Sequence, residues 1–286
     1  MSFATALDAC FTAGKRLCVG VDPHPYLLAA WGYPNSAAGV REFGLRVVEA
    51  AASQALAIKP QIAFFERFGS AGYAALEQIL SAAREIALPV IADIKRGDIG
   101  SSFAAYAQAW LTPGAPLEVD AITVHPYQGV GSLQPGFELA RQYGKGMFLL
   151  AATSNPGAAS FQLAKTGTQE TVAASVVREV NELNRAHAAA ISGSCGQFGV
   201  VLGATLQLAE YEIAPSANDT QVPVMPVLAP GFGAQGAALE NVKNIYGALS
   251  AGVIPNESRS LLQGGAEELS ARITARATEI RKVFRG

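Results

Sequence analysis

The sequence predicts a (β/α)8 TIM barrel, an α/β fold, as a single domain over residues 1–286. Eight short apolar runs recur along the chain, separated by stretches whose Ala, Leu, Glu and Arg have helix-compatible spacing. A chain of 286 residues, half of them hydrophobic, suits one barrel of this size with a large core. The predicted strands are Leu17–Asp22, Leu56–Ile62, Val90–Lys95, Ala121–His125, Met147–Thr153, Gly199–Gly203, Val224–Ala229 and Gly252–Pro255.

The stretches between these runs predict helices that would cover the outside of the barrel. They include Ser36–Ala52, Ala71–Ile86, Ser101–Trp110, Thr171–Ser192, Gln235–Leu249 and Ala266–Phe284. An open doubly wound sheet is the alternative fold, but no run is followed by a clean Gly-x-Gly-x-x-Gly turn with a later acidic residue. Residues 218–222 predict a surface loop.

Composition excludes several classes of function. A net charge of −2 argues against a protein that binds nucleic acid polymers. Cys10, Cys18 and Cys195 lack the spacing of a zinc site or a disulfide framework, which suits a reducing compartment. The N-terminal residues do not read as a signal peptide, and no apolar run is long enough to span a membrane. We therefore expect a cytoplasmic protein.

Charged residues cluster at the ends of the predicted strands, where barrels of this fold carry their active sites. Asp93 and Lys95 share one face of the third strand because side chains alternate along a strand. Lys59 on the second strand is flanked by apolar residues, so it should also point into the top of the barrel. Asp22 follows the first strand and Asp98 the third. A structural ion pair is the alternative interpretation of Asp93 and Lys95.

The loop after the seventh strand predicts an anion site. Gly231 and Gly233 can present bare backbone N–H groups, and Arg259 in the next loop can bind phosphate oxygens with its planar fork. Barrels often bind phosphate between these two loops. The alternative, a glycine-rich turn beside a surface arginine, is less favoured because both features fall on adjacent strands. The sequence thus predicts a phosphorylated small molecule.

The remaining candidates are more ambiguous. Ser154, in the run Thr-Ser-Asn-Pro-Gly after the fifth strand, either belongs to an ordinary turn or reads the edge of a planar heterocycle. His24 and His125 have no carboxylate at ligand spacing, so no metal site is predicted.

These residues resemble the orotidine 5′-phosphate decarboxylase family, and more closely its longer bacterial branch (type 2). The resemblance runs nearly end to end and rests on four motifs: Ala92–Ser101, which contains Asp-x-Lys-x-x-Asp, Thr153–Gly157, Pro230–Gly236 and Ser258-Arg259. Asp-x-Lys-x-x-Asp alone is shared with magnesium-dependent relatives that decarboxylate or condense sugar phosphates. Those relatives generally place an acidic metal ligand where this chain has Lys59.

The resemblance implies decarboxylation of orotidine 5′-monophosphate to uridine 5′-monophosphate, the last step of de novo UMP synthesis, without cofactor or metal. It implies that Lys95 stabilises and protonates the carbanion while Asp93 and Lys59 complete a charge array. It also implies that Asp98 joins that array across a homodimer interface.

The resemblance also assigns substrate contacts. Asp22 and Lys59 would bind the ribose and Ser154 the pyrimidine, while Gln235, Arg259 and the backbone of Gly231 and Gly233 would hold the phosphate. Shorter family members carry an arginine in the seventh loop, where this chain has Phe232-Gly233.

Two rival functions remain at this point. One is a magnesium-dependent sugar-phosphate decarboxylase or aldolase of the same superfamily. The other is a non-catalytic barrel that binds a nucleotide. Lys59 argues against the first, and two buried carboxylates near an anionic ligand argue against the second.

Overall fold

A computed structural model describes residues 1–188, 193–213 and 223–285, and its architecture is a parallel eight-stranded barrel. The predicted fold class is confirmed. The predicted loop at 218–222 lies outside the described residues. The strands are β1 Cys18–Val21, β2 Ala57–Pro60, β3 Ile91–Arg96, β4 Ala121–Val124, β5 Gly146–Ala152, β6 Phe198–Leu202, β7 Val227–Pro230 and β8 Val253–Glu257.

Helices alternate with these strands. They are α1 Phe3–Thr12, α2 Pro25–Ala30, α3 Ala37–Ala51, α4 Ala63–Glu66, α5 Gly69–Glu85, α6 Gly100–Leu111, α7 Gln134–Tyr143, α8 Ala159–Gln162, α9 Val172–Ala186, α10 Val242–Tyr246, α11 Arg259–Leu262 and α12 Leu269–Arg285. Side-chain caps fix the start of two long helices: Ser36 accepts from Gly39 N–H ahead of α3, and Thr171 from Ala174 N–H ahead of α9.

Strand pairing closes the ring. The order is β2-β1-β8-β7-β6-β5-β4-β3, with every named pair parallel. The two end strands, β2 and β3, meet through isolated parallel bridges from Ile58 to Val90 and from Gln61 to Asp93. The carboxyl ends of all eight strands therefore face the same end of the barrel.

Because side chains alternate along each strand, the strands carry two separate apolar clusters, one inside the barrel and one between the strands and the helices. Each strand contributes one residue to an inner apolar cluster: Cys18, Ala57, Ile91, Ala121, Phe148, Val201, Leu228 and Ile254. The neighbouring strand residues belong instead to the larger cluster between the strands and the helices. Fully burying a large aliphatic or aromatic side chain contributes about 1.5–3 kcal/mol to stability. The free energy gained in these two clusters therefore fixes which face of each strand points into the barrel.

Helix α1 covers the amino-terminal end of the inner cluster. Phe3 packs edge-on against Phe148, with ring centroids 5.9 Å apart. A Cβ at Gly146 would lie 2.3 Å from the Phe3 ring, so only glycine fits at that position of β5. The floor of the barrel is thus apolar and tightly packed.

The largest departure from the predicted elements follows β7. The stretch predicted as one helix, Gln235–Leu249, contains the short helix α10 between 3-10 turns at Leu239–Asn241 and Gly247–Gly252. Gly236 and Gly247 both have positive φ angles, 83° and 52°, which a regular helix does not accommodate. In the described part of the chain, no helix is both long and apolar enough to cross a membrane.

Candidate active site

The inward-facing positions just above the apolar floor carry the predicted charged residues. Lys59 lies two residues beyond Ala57 on β2, and Asp93 two residues beyond Ile91 on β3. Because side chains alternate, each points into the barrel above its apolar neighbour. The floor beneath the site is therefore dry, and the top faces solvent.

Asp93 is the hub of the site. Lys59 Nζ donates to its Oδ2 at 2.6 Å, and Lys95 Nζ donates to its Oδ1 at 2.6 Å. The Thr123 hydroxyl donates to Oδ1 at 2.7 Å, and Gln61 Nε2 donates to Oδ2 at 3.2 Å. Each carboxylate oxygen thus accepts from one ammonium and one neutral group.

The predicted pairing of Asp93 and Lys95 is present, but β3 is not regular there. Its register against β4 shifts between Ala92 and Arg96, and Lys95 has φ +44°. That left-handed conformation is uncommon for a residue other than glycine and costs about 1–3 kcal/mol. The Lys95 N–H donates to the Thr123 hydroxyl at 3.2 Å, which holds the bend in place.

The two lysines differ in exposure. Asp93 and Lys59 are 6% exposed, whereas the Lys95 side chain retains 45% of its accessible surface. Lys59 is therefore a buried counter-charge. Lys95 has its ammonium on Asp93 but can be reached from the open end of the barrel.

The charges shift one another's ionisation. Burial alone would raise the pKa of Asp93, but Lys59 and Lys95 outweigh it and hold that pKa well below its ordinary value. Burial would lower the pKa of Lys59, yet Asp93 and Asp22 raise it above the ordinary value. Asp93 is therefore ionised and Lys59 protonated at neutral pH.

Polar groups without a partner lie beside this array. Asp22 Oδ1 and Ser258 Oγ are both buried, and neither has a hydrogen-bond partner among the described residues. A Cβ at Gly20 would lie 2.6 Å from Ser258 Cβ and 3.3 Å from Asp22 Oδ2, so both side chains lie against the same face of that glycine. Buried polar atoms of this kind are satisfied by a ligand or by water.

The predicted anion site forms a pocket of about 160 Å³ between the loops after β7 and β8. It is lined by Asp22, His24, Pro230, Gly231, Gly233, Ala234, Gln235, Asn256, Glu257, Ser258 and Arg259. Gly231 has φ +129°, a conformation that favours glycine. Arg259 and Gln235 are exposed at the rim. The guanidinium of Arg259 has no hydrogen-bond partner among residues 1–188, 193–213 and 223–285.

The β5 loop reaches the same region. The Ser154 hydroxyl donates to Gln235 Oε1 at 3.4 Å, which joins the predicted base-reading residue to the predicted phosphate loop. Gln162 of α8 fixes the loop by accepting from the Thr153 N–H at 2.9 Å and donating to its hydroxyl at 3.0 Å. Ser154 itself is exposed toward the open end.

Asp98 does not join the array within the chain. Its carboxylate accepts from the N–H of Ile99 at 2.8 Å, and it forms no ion pair in the part of the chain that the structure describes. The nearby Gly97 has a packing reason rather than a ligand-binding one, because a Cβ there would lie 2.4 Å from the His125 carbonyl oxygen.

The described residues contain no group of three His, Cys, Asp or Glu side chains placed to hold a metal ion. Burial raises the pKa of the Cys18 and Cys195 thiols to about 12, so both are neutral at physiological pH. His24 packs against Phe64 and Tyr26.

Gln61 was not predicted as part of the site, and Thr123 and Ser258, which stand at the ends of the predicted fourth and eighth strands, were given no role in it. Thr123 stands two residues beyond the inward-facing Ala121, so alternation on β4 could have indicated it. Its bond to Asp93 depends on the irregular register between β3 and β4, which the sequence does not specify.

Chemically, the site sets a buried carboxylate between two ammonium groups, with an anion pocket and polar loops around it. Such an arrangement can stabilise a developing negative charge with groups that are fixed in advance. It can also deliver a proton from Lys95.

Comparisons with known proteins give the chain a family. A model of the orotidine 5′-phosphate decarboxylase / HUMPS family matches residues 15–271. Curated orotidine 5′-phosphate decarboxylases from Corynebacterium efficiens and Salinispora tropica are 44% and 45% identical to it; each alignment covers 95% of this chain and 93% of the relative.

Solved structures agree with the sequence relatives. A Streptomyces avermitilis protein described as an orotidine 5′-phosphate decarboxylase superposes with a TM-score of 0.90 at 42% identity, covering 100% of this chain and 96% of the other. The OMP decarboxylase of Leishmania donovani superposes with a TM-score of 0.77 at 29% identity, with both chains fully covered.

Replacing Lys59 by Met should destabilise the fold in a pH-dependent way. The depressed pKa of Asp93 stabilises the native state above the pKa of an unfolded Asp and stops doing so as the pH falls through the folded pKa. Lys59→Met removes one counter-charge and raises the pKa of Asp93. We expect the free energy of unfolding to fall by roughly 3 kcal/mol at pH 7 and the difference to narrow below about pH 4.

Urea unfolding at pH 7 and pH 3.5 measures this effect. The matched control is Arg178→Met on α9, because the half-exposed Arg178 side chain pairs with Glu170 and Glu182 near solvent and these pairs should contribute no more than about 0.5 kcal/mol. An equal loss at both pH values would contradict the assigned ionisation of Asp93.

Proposed function

The chain belongs to the orotidine 5′-phosphate decarboxylase family, and from this premise we propose how its residues carry out the reaction. The protein is a carboxy-lyase that converts orotidine 5′-monophosphate to uridine 5′-monophosphate and CO2, in UMP biosynthesis. The observation that carries the mechanism is the Asp93 carboxylate held between Lys59 and Lys95 at 2.6 Å each.

The reaction sets a specific electrostatic problem. Loss of CO2 from the pyrimidine ring carbon leaves a carbanion with no adjacent carbonyl or imine to delocalise it. The protein must therefore stabilise the charge with positive groups positioned beforehand. Such groups act most strongly over a floor that excludes water.

Lys95 is the group we assign to the reacting carbon. Its ammonium is fixed by Asp93 Oδ1 and by the bend in β3, and its side chain remains accessible from the open end. It stabilises the developing carbanion and then donates a proton to the same carbon. The C–C bonding pair thus becomes a C–H bond, and CO2 leaves.

Asp93 and Lys59 support that role. The ionised Asp93 orients Lys95 through the bond from its Nζ, and it would lie close to the substrate carboxylate, where like charges repel in the ground state. Lys59 offsets the buried charge of Asp93 and, by its place beside Asp22, can also reach ribose hydroxyls. Thr123 and Gln61 bind the remaining sides of the Asp93 carboxylate.

We assign the substrate contacts to polar groups around the open end of the barrel. Asp22 accepts from the ribose through its buried Oδ1. Ser154 reads the pyrimidine edge from the β5 loop. Gln235, Arg259 and the backbone of Gly231 and Gly233 hold the phosphate in the pocket between the β7 and β8 loops.

The rival functions are less well supported. A magnesium-dependent relative would need an acidic ligand at the end of β2, and Lys59 stands there with its ammonium on Asp93. A barrel that only binds a nucleotide has no need for a buried carboxylate beside an anionic ligand, because that charge weakens binding. The proposed catalyst uses both features and needs no cofactor or metal.

We further propose that residues 1–286 form one domain and that the protein is cytoplasmic. We also propose that it acts as a homodimer. The support for the homodimer is the surface beside Asp98: Ile99 is 59% exposed, and Tyr106 on the helix that follows it, α6, is also exposed. A second copy covering these side chains would bring Asp98 to the partner's active site, where it extends the alternating charges.

Metal-free turnover that depends on Lys95 tests the mechanism. Protein treated with a chelator should convert orotidine 5′-monophosphate at an undiminished rate, followed by the change in ultraviolet absorbance. Lys95→Ala should lower kcat by at least about 1,000-fold, because it removes both the preset charge and the proton donor. A rate abolished by chelation would favour the magnesium-dependent relatives instead.

Mixing two impaired variants tests the shared role of Asp98. In a dimer of one Lys95→Ala chain and one Asp98→Ala chain, one of the two sites would have both native residues. Co-refolding equal amounts should restore about a quarter of the wild-type activity if sites are shared between subunits. No restoration, with dimers present in sedimentation analysis, would place Asp98 in its own subunit's site or outside catalysis.

A further inference from the structure

We propose that Arg276 and Glu257 are positioning residues for the phosphate-binding loop. They fix the loop Gly231–Gly236 against the helix α11 that carries Arg259. The proposal rests on the proposed function, since it assigns the pair a role in binding the substrate phosphate. Neither residue was a candidate from the sequence.

Glu257 anchors the start of α11. It is the last residue of β8 and only 3% exposed. Its Oε2 accepts from the Ser260 hydroxyl at 3.0 Å, and its Oε1 accepts from Arg276 Nε at 2.6 Å. Since Ser260 directly follows Arg259, the buried carboxylate sets where Arg259 leaves the backbone.

Arg276 connects that anchor to the loop. From α12 its Nη2 donates to the carbonyl oxygen of Phe232 at 3.0 Å, while its Nη1 donates to Glu279 at 2.8 Å. All three guanidinium nitrogens are thus engaged, so the planar group is held rigidly. One side chain ties together β8, α12 and the centre of the loop.

The loop packs directly on these groups. A Cβ at Gly233 would lie 2.4 Å from Ser260 Oγ and 2.8 Å from Glu257 Oε2, which leaves no room for a side chain. Backbone bonds from Gly236 N to the Gly233 carbonyl and from Ala237 N to the Gly231 carbonyl, both 3.0 Å, close the loop internally. Its placement relative to Arg259 therefore depends on Arg276, Glu257 and Ser260.

Charge gives Arg276 a second task. The Glu257 carboxylate lies behind Gly233, next to the pocket assigned to a phosphate dianion, and alone it would repel that anion. The guanidinium of Arg276 offsets this charge where it is buried. Loss of Arg276 thus frees the loop and exposes the phosphate to an uncompensated carboxylate.

The test compares ligands with and without the phosphate. In Arg276→Met, the affinity for uridine 5′-monophosphate, measured by calorimetry, should fall at least about tenfold, whereas the affinity for uridine stays unchanged. The value of kcat/KM should likewise fall for orotidine 5′-monophosphate and hold for the nucleoside orotidine. Arg259→Ala should give the same selective pattern, because it removes the phosphate contact itself.

Controls separate positioning from general loss of structure. Arg281→Met alters the same helix, where Arg281 reaches Gln54 rather than the loop, and should keep both affinities. Adding Glu257→Gln to Arg276→Met should recover part of the nucleotide affinity, because the uncompensated charge is gone. Equal losses for nucleotide and nucleoside, or no loss for either, would overturn the proposal. If the wild type bound the nucleotide without turning it over, the proposed function would be refuted. The comparison of nucleotide and nucleoside affinities would still test the role of Arg276 and Glu257.

Discussion

The ionised carboxylate of Asp93 is the constraint on which the site depends. A buried carboxylate is tolerated only when its charge is compensated, and here two ammonium groups and two neutral donors surround it. That compensation fixes Lys59 and bends β3 so that Lys95 sits at the edge of solvent. The positive charge assigned to the carbanion is therefore in place before any substrate arrives, which is the condition for electrostatic catalysis.

The barrel supplies this arrangement through alternation. One inward residue per strand builds an apolar floor, closed below by Phe3 of α1, and the next inward residues of β2, β3 and β4 are Lys59, Asp93 and Thr123. The floor places apolar side chains beneath the charges, while the pocket to which we assign the phosphate lies at the open end. Binding energy from the remote phosphate can then hold the ring against Lys95 during the chemical step.

Much of this arrangement could be predicted from the sequence, because it depends on local residue patterns. The eight apolar runs place the strands, and the charges that interrupt them mark Lys59, Asp93 and Lys95. What depends on register or on distant packing was not predictable: the bend at Lys95, the bonds that Thr123 and Gln61 donate to Asp93, and the Arg276 link from α12 to Phe232. The family resemblance placed Asp98 in the charge array, but within one chain its carboxylate accepts from the N–H of Ile99 and does not contact the array. The break in the helix predicted at Gln235–Leu249 follows from glycines with positive φ, whose cost the helical pattern does not show.

The proposed mechanism requires Asp93 to remain ionised between its two lysines. The most direct test is carbon-13 NMR of the Asp93 side-chain carboxyl, followed as the pH is lowered in the folded protein. We expect a carboxylate signal that persists well below pH 3.8, the ordinary pKa of an aspartate, because Lys59 and Lys95 outweigh the effect of burial. Protonation at or above that pH would contradict it, since the array would then lack the negative hub that holds Lys95 in place.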